Sequence, residues 1–158
     1  MFAPSFDYYR AHSLEEAGDL LQKYPGAKLL AGGHSLIPLL KLRLAAPATV
    51  IDIGRIKNLK GISVKDPPPY DVIRINALTT HAEIASSPIA REYCPALADA
   101  AQMIGDPAVR NRGTIGGNLA HADPASDLPT VLVALGARIG IWRGHDTRTP
   151  IPAIRCRP

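Results

Sequence analysis

Two glycine pairs, Gly32-Gly33 and Gly116-Gly117, constrain this chain more than any other feature. The first ends the apolar run Ala27–Ala31 and leads into His34-Ser35; the second lies inside Arg110–Leu119. Adjacent glycines let successive N–H groups converge on an anion with no Cβ in the way. Taken singly, either pair is equally a tight turn that requires positive φ. Two pairs flanked by hydroxyls, Ser35 and Thr114, and set in different parts of the chain favour a shared diphosphate ligand. The familiar phosphate motifs are excluded: there is no Gly-x-Gly, hence no Rossmann fingerprint, and no glycine precedes a Lys-Ser/Thr pair.

Periodicity places the two pairs in two lobes. In residues 1–55, a short strand at Phe6–Tyr9 precedes Ser13 and Glu16, a capping box, and a helix whose apolar face is Leu14, Ala17, Leu20, Leu21 and Tyr24. Pro25-Gly26 stops it, Ala27–Ala31 is a strand, Leu36–Leu44 suits a short helix with Pro38 in its first turn, and Thr49–Ile53 is a β-branched strand. In residues 56–142, strands are expected at Lys60–Val64 and Val72–Ala77 around Asp66-Pro-Pro-Pro69, helices at Thr80–Ser86, Pro95–Ile104 and Leu128–Leu135, and a closing strand at Ala137–Trp142. Residues 143–158, with four arginines and three prolines, show almost no apolar periodicity and are expected to add no element: a solvated basic tail, or the out-of-frame end of an interrupted chain. The expectation is an incomplete chain.

Composition narrows the function. The 158 residues are 46% hydrophobic and 20% charged, enough for an apolar core, and no run reaches the roughly 18 apolar residues of a membrane span. No signal-like order opens the chain, so a soluble cytoplasmic protein is the default. Cys94 and Cys156 form no metal or cluster pattern, so redox chemistry would need an organic cofactor or a partner. Of the net charge of +4, residues 143–158 carry +3 (four arginines against Asp146) and the rest +1, so the basic excess reads as a tail rather than a nucleic-acid face.

Among single residues, His34 reads as a hydrogen-bonding spacer in a glycine loop rather than an acid or base. His121, Asp123 and Asp127 raise a metal site, but no second ligand cluster accompanies them, and a helix-capping or sugar-binding carboxylate is the plainer reading. Ser35 lacks the Gly-x-Ser-x-Gly setting of a hydrolase nucleophile. Arg110 and Arg112 are candidates for pairing with an anion, or simply a solvated loop pair.

Three motifs together carry a resemblance: Ala31-Gly-Gly-His-Ser-Leu36 with Pro38, Lys41 and Arg43; Ile75-Asn-Ala-Leu-Thr-Thr-His81; and Arg110-Asn-Arg-Gly-Thr-Ile-Gly-Gly-Asn-Leu-Ala120. From about Phe6 to Trp142 the chain resembles the FAD-binding medium subunits of molybdenum hydroxylases, most of all the carbon monoxide dehydrogenase branch. The resemblance implies a mixed α/β (α+β) FAD-binding fold of the vanillyl-alcohol-oxidase type, two lobes with the flavin between them, and a third, C-terminal region absent here. It implies that Gly32, Gly33, His34, Ser35 and Leu36 hold the pyrophosphate through backbone amides. Thr114, Gly116, Gly117 and Asn118 would form a second phosphate-side loop, Asp123 and Asp127 would meet the ribityl or adenosine side, and Ile104 and Gly105 would pack near the cofactor. No metal ligand and no catalytic acid or base is implied on this chain. The flavin does the redox work: electrons from a molybdopterin large subunit cross the [2Fe–2S] clusters of a small subunit, reduce FAD and pass to an external acceptor. Neither nucleic acid nor a membrane span is expected. The rivals are a fragment unable to hold FAD and, less favoured, a stand-alone flavin oxidase.

Overall fold

A computed structural model describes residues 2–65, 72–142, 144 and 153–156. The chain divides into two compact units, Met1–Lys57 and Asn58–Pro158.

The first unit is built on a parallel sheet of order β1-β3-β2, formed by β1 (Asp7–Arg10), β2 (Lys28–Leu30) and β3 (Thr49–Asp52). β3 takes the middle because Thr49-Val50-Ile51 is a β-branched run that suits burial, and all three are buried. Across β1 and β3, the Tyr8 hydroxyl donates to Asp52, and Arg10 lies 3.7 Å from the same carboxylate. Helix α1 (Leu14–Lys23) starts as expected, with Ser13 Oγ accepting from the Glu16 N–H at 3.1 Å. The Glu16 carboxylate reaches back one residue further than in a capping box, to the His12 N–H at 2.7 Å. Tyr24 closes the helix, stacks on Tyr9 at a centroid distance of 4.8 Å and donates its hydroxyl to that of Tyr9 at 2.7 Å, fastening α1 to β1. Helix α2 (Leu36–Lys41) is shorter than its apolar run because the chain leaves the helical region at Arg43, whose φ is 57°.

The second unit has an antiparallel sheet of order β4-β5-β7-β6, formed by β4 (Ile62–Lys65), β5 (Val72–Asn76), β6 (Arg138–Ile139) and β7 (Ala153–Cys156). The expected Asp66–Pro69 linker lies outside the described residues. Six helices follow β5: α3 (His81–Ser86), α4 (Pro88–Tyr93), α5 (Pro95–Met103), α6 (Pro107–Arg110), α7 (Ile115–His121) and α8 (Asp127–Ala134). Thr80 and Glu83 make a full capping box for α3, while α4, α5 and α6 each open on a proline, whose missing N–H costs nothing in a first turn. Ile73, Ile75 and Ile154 from the sheet pack with Ile84, Leu97, Ile115 and Leu128 from the helices into one core.

Two expectations are corrected. The glycine-punctuated segment Arg110–Leu119 is not a loop: it ends α6 and builds most of α7, because the Thr114 cap and the internal bonds described below satisfy a first turn that glycine alone would leave unstable. The stretch 143–158, expected to stay unplaced, supplies β7, an interior strand of the sheet. Its only deeply buried described side chain is Ile154, opposite Ile75 on one side and Ile139 on the other. A strand with one face on the core needs no more apolar content than that, and surrounding Arg and Pro hid it. The expected strand Ala137–Trp142 contracts to Arg138–Ile139.

Candidate functional site

Residues 32–36 connect β2 to α2 in the first unit. Gly33 has φ +80°, and a Cβ there would lie 2.7 Å from Ile37 Cδ1 and 3.2 Å from Leu30 Cδ1, so the turn closes only around glycine. The carbonyls are anchored: Gly33 C=O accepts from the Ile37 N–H at 2.9 Å and Ser35 C=O from the Leu39 N–H at 3.3 Å. The donors are not. Among the described residues, no group accepts from the N–H of Gly32, Gly33, His34, Ser35 or Leu36, and the Ser35 hydroxyl caps nothing. His34 and Ser35 are exposed and the other three half-buried. Five consecutive backbone donors without an internal acceptor form the arrangement an oxyanion satisfies.

The second glycine pair is built differently. Thr114 caps α7, its Oγ1 accepting from the Gly117 N–H at 3.2 Å. The Ile115 N–H donates to Thr79 C=O at 3.0 Å, the Gly116 N–H to Ala77 C=O at 2.8 Å, and the Asn118 N–H to Thr114 C=O at 2.9 Å. All four amides are therefore engaged, and this pair is not an open amide cradle. One step back, the His81 N–H donates to Gly113 C=O at 3.0 Å, and a Cβ on Gly113 would lie 2.7 Å from His81 Cδ2. Ala77–His81 and Gly113–Gly116, read from sequence as separate motifs, are one hydrogen-bonded joint. Thr114 itself is buried, and its Oγ1 serves as the cap of α7.

Of the remaining expected residues, Asn118 is tied to Ser126, its Nδ2 donating to Ser126 Oγ at 2.8 Å and its Oδ1 accepting from that hydroxyl at 3.0 Å. Asp123 Oδ1 accepts from the Ala125 N–H at 2.9 Å and shapes the loop between α7 and α8; Asp127, exposed, is the first residue of α8. Ile104 and Gly105 follow α5, and both carbonyls accept from Arg110 Nη1 at 2.9 Å, so Arg110 holds backbone rather than standing ready for an anion. Arg112 is exposed. His121 ends α7, and among the described residues no group of three His, Cys, Asp or Glu is placed to hold a metal ion. Thr79, whose carbonyl positions α7, and Ser126, whose hydroxyl does, were given no role from sequence because neither carries a spacing signal.

The sequence from residue 4 to 154 matches the family of FAD-binding domains in molybdopterin dehydrogenases. The chain belongs to this family. The FAD-binding domain is 45% identical to the carbon monoxide dehydrogenase medium chain of Hydrogenophaga pseudoflava over 97% of its own length and 52% of that protein. It is 46% identical to subunit alpha of the 6-hydroxypseudooxynicotine dehydrogenase complex of Paenarthrobacter nicotinovorans (88% and 46% covered), and 44% identical to the glyceraldehyde dehydrogenase medium chain of Sulfolobus acidocaldarius (94% and 52% covered). A solved Hydrogenophaga pseudoflava carbon monoxide dehydrogenase superposes with a TM-score of 0.87 at 38% identity, covering 99% of this chain and 60% of that one. The domain thus spans about half the length of the curated relatives it matches, and the match includes β7 as far as Ile154.

FAD is the cofactor of this family. The 32–36 turn of the FAD-binding domain presents backbone N–H groups that meet no acceptor among the described residues, with a glycine where a Cβ would intrude. No helix among the described residues is long and apolar enough to cross a membrane.

Proposed function

We propose that this chain binds FAD with residues 32–36 holding the diphosphate through backbone N–H groups. The run of five donors without internal acceptors carries this reading. Gly33 keeps the turn open, and His34 and Ser35 present their amides from an exposed position. In the second unit, Thr114, Gly116, Gly117 and Asn118 act through α7: Thr114 by capping it, Gly116 by docking it on Ala77, Gly117 by keeping the cap, Asn118 by tying it to Ser126. Asp123 and Asp127 meet the sugar or ribityl hydroxyls, and Ile104-Gly105, clamped by Arg110, packs beside the cofactor. Bound FAD supplies hydride and single-electron chemistry that no side chain provides.

In the whole assembly the chain serves as the flavoprotein subunit of a molybdenum hydroxylase of the carbon monoxide dehydrogenase kind, taking electrons from a [2Fe–2S] small subunit that draws on a molybdopterin large subunit, and passing them to an external acceptor. Relatives named for carbon monoxide, 6-hydroxypseudooxynicotine and glyceraldehyde dehydrogenases match it at 45%, 46% and 44% identity, which supports placing substrate choice in the large subunit. The test is an absorbance spectrum of the purified chain after addition of FAD and desalting, beside Gly33→Ala. Flavin retained by the parent and lost from a folded Gly33→Ala variant is the expected result. A colourless parent would identify the chain as a fragment that does not hold FAD by itself.

A further inference from the structure

At the carboxyl edge of the first sheet, one carboxylate ties several segments together. Arg10, Asp52 and Leu30 stand in register at the ends of β1, β3 and β2, and the 32–36 turn leaves from that same edge, just past Leu30. Ligands of parallel sheets bind beyond the carboxyl ends of the strands. The Asp52 side chain is 17% exposed, and a carboxylate so far withdrawn from water persists only with partners. Its Oδ2 accepts from the Tyr8 hydroxyl and lies 3.7 Å from Arg10 Nε, while Oδ1 accepts from the Gly54 N–H at 2.7 Å. Arg10 Nη2 donates in turn to the Tyr8 hydroxyl at 3.3 Å, so one cation braces both members of the Tyr8–Asp52 bond.

These bonds end at the base of the glycine turn. Ile53, next after Asp52, donates its N–H to Leu30 C=O at 3.0 Å. A Cβ on Gly54 would lie 3.0 Å from Asp52 Oδ1 and 3.6 Å from the Ala31 carbonyl oxygen, so Gly54 fits between the carboxylate and the residue that precedes Gly32. The Asp52 backbone is engaged as well, its C=O accepting from the Ala11 N–H at 2.9 Å. The turn is fastened forward to α2 by the Gly33 and Ser35 carbonyls, and backward through Leu30 and Ala31, against which Ile53 and Gly54 rest. A carboxylate on the same sheet edge as a diphosphate works against that anion unless its charge is matched, and Arg10 supplies the match. We propose that Asp52 is a positioning residue for diphosphate binding: held by Tyr8 and Arg10, it fixes Ile53-Gly54 and with them the angle at which the 32–36 turn leaves β2. The proposal rests on residues 32–36 holding the diphosphate of FAD. Where binding depends on converging donors, a displacement of about 1 Å is enough to lose much of it.

The test is a FAD titration of the 158-residue chain followed by quenching of flavin fluorescence, with proton–nitrogen correlation spectra of the Gly32 and Gly33 amides recorded beside it. Asp52→Ala is expected to weaken FAD binding by about tenfold or more, and to move both glycine resonances in the ligand-free chain. Asp52→Asn, whose Oδ1 still accepts from Gly54, is expected to bind within about threefold of the parent. Tyr8→Phe and Tyr24→Phe each delete one hydroxyl, the first from Asp52 and the second from Tyr9. The first is expected to weaken FAD binding by about threefold or more and the second by less than about twofold. If Asp52→Ala does not fold, this tyrosine pair carries the comparison. An Asp52 that serves the fold alone would lower the unfolding midpoint of Asp52→Ala and leave the affinity of the folded chain unchanged, which overturns the proposal, as does equal weakening by the two tyrosine variants. If Gly33→Ala weakens FAD binding and Asp52→Ala does not, the reading of the turn stands and this inference falls. If the parent binds no FAD, or binds it without moving the Gly32 and Gly33 resonances, the reading of the turn falls and takes the inference with it.

Discussion

A Cβ placed on Gly116 would stand 2.7 Å from both the Cβ and the carbonyl oxygen of Ala77. The glycine is fixed by contact with another backbone, and its N–H closes that contact by donating to the same carbonyl at 2.8 Å. Gly116→Ala is therefore expected to force α7 away from the β5–α3 connection and to cost about 1–3 kcal/mol, with flavin retention falling in step with stability. Urea denaturation monitored beside flavin absorbance measures both.

Gly33→Ala should separate those two quantities. Its φ of +80° costs a non-glycine residue about 1–2 kcal/mol, but the turn it sits in is partly open to solvent and bears little of the core. Flavin or ADP affinity, read by isothermal titration, is expected to drop by about tenfold or more while the unfolding midpoint moves modestly.

Thr79 is fully buried, and its hydroxyl accepts from the Gly61 N–H and donates to the Gly61 carbonyl, both at 3.1 Å. Thr79→Val keeps the shape and removes both bonds. We expect a loss of about 1–3 kcal/mol in denaturant unfolding, with Thr79→Ser retaining most of the stability. A loss in Thr79→Ser with none in Thr79→Val would place the effect in the methyl group.

Ile154→Ala tests whether β7 belongs to the structural core. With 2% of its surface exposed, and Ile75 and Ile139 opposite, truncation is expected to cost about 2–5 kcal/mol in thermal or denaturant unfolding. A solvated tail would show almost no change.

Much of this architecture could be read from local pattern. Ser13 and Glu16 announced α1, Thr49–Ile53 announced the central strand of the first sheet, and Gly32-Gly33 after an apolar run announced the turn with open donors. What escaped was information held between distant residues. Gly116-Gly117 looks like Gly32-Gly33 in sequence, and only the acceptors at Ala77, Thr79 and Thr114 show that one pair has spent its amides and the other has not. Arg110 could be read as an anion partner or as a solvated loop residue, because no sequence pattern reveals that its Nη1 reaches the carbonyls of Ile104 and Gly105. Ile154 stands among Pro152, Arg155 and Arg157 in sequence, with no strand-like alternation to mark it, and finds its core partners across strands.

The order β4-β5-β7-β6 also sets a timetable. β4 and β5 leave the ribosome early, yet β7, the other neighbour of β5, is made only after α3 to α8 and β6. At about 5–20 residues per second, the interval from Asn76 to its partner Ala153 is on the order of 4–15 s. Through that time β5 offers an unpaired edge, whereas the first sheet is complete once Asp52 has emerged. The nascent chain thus carries one finished unit and one open strand edge, and the interval between them is when self-association would compete with folding.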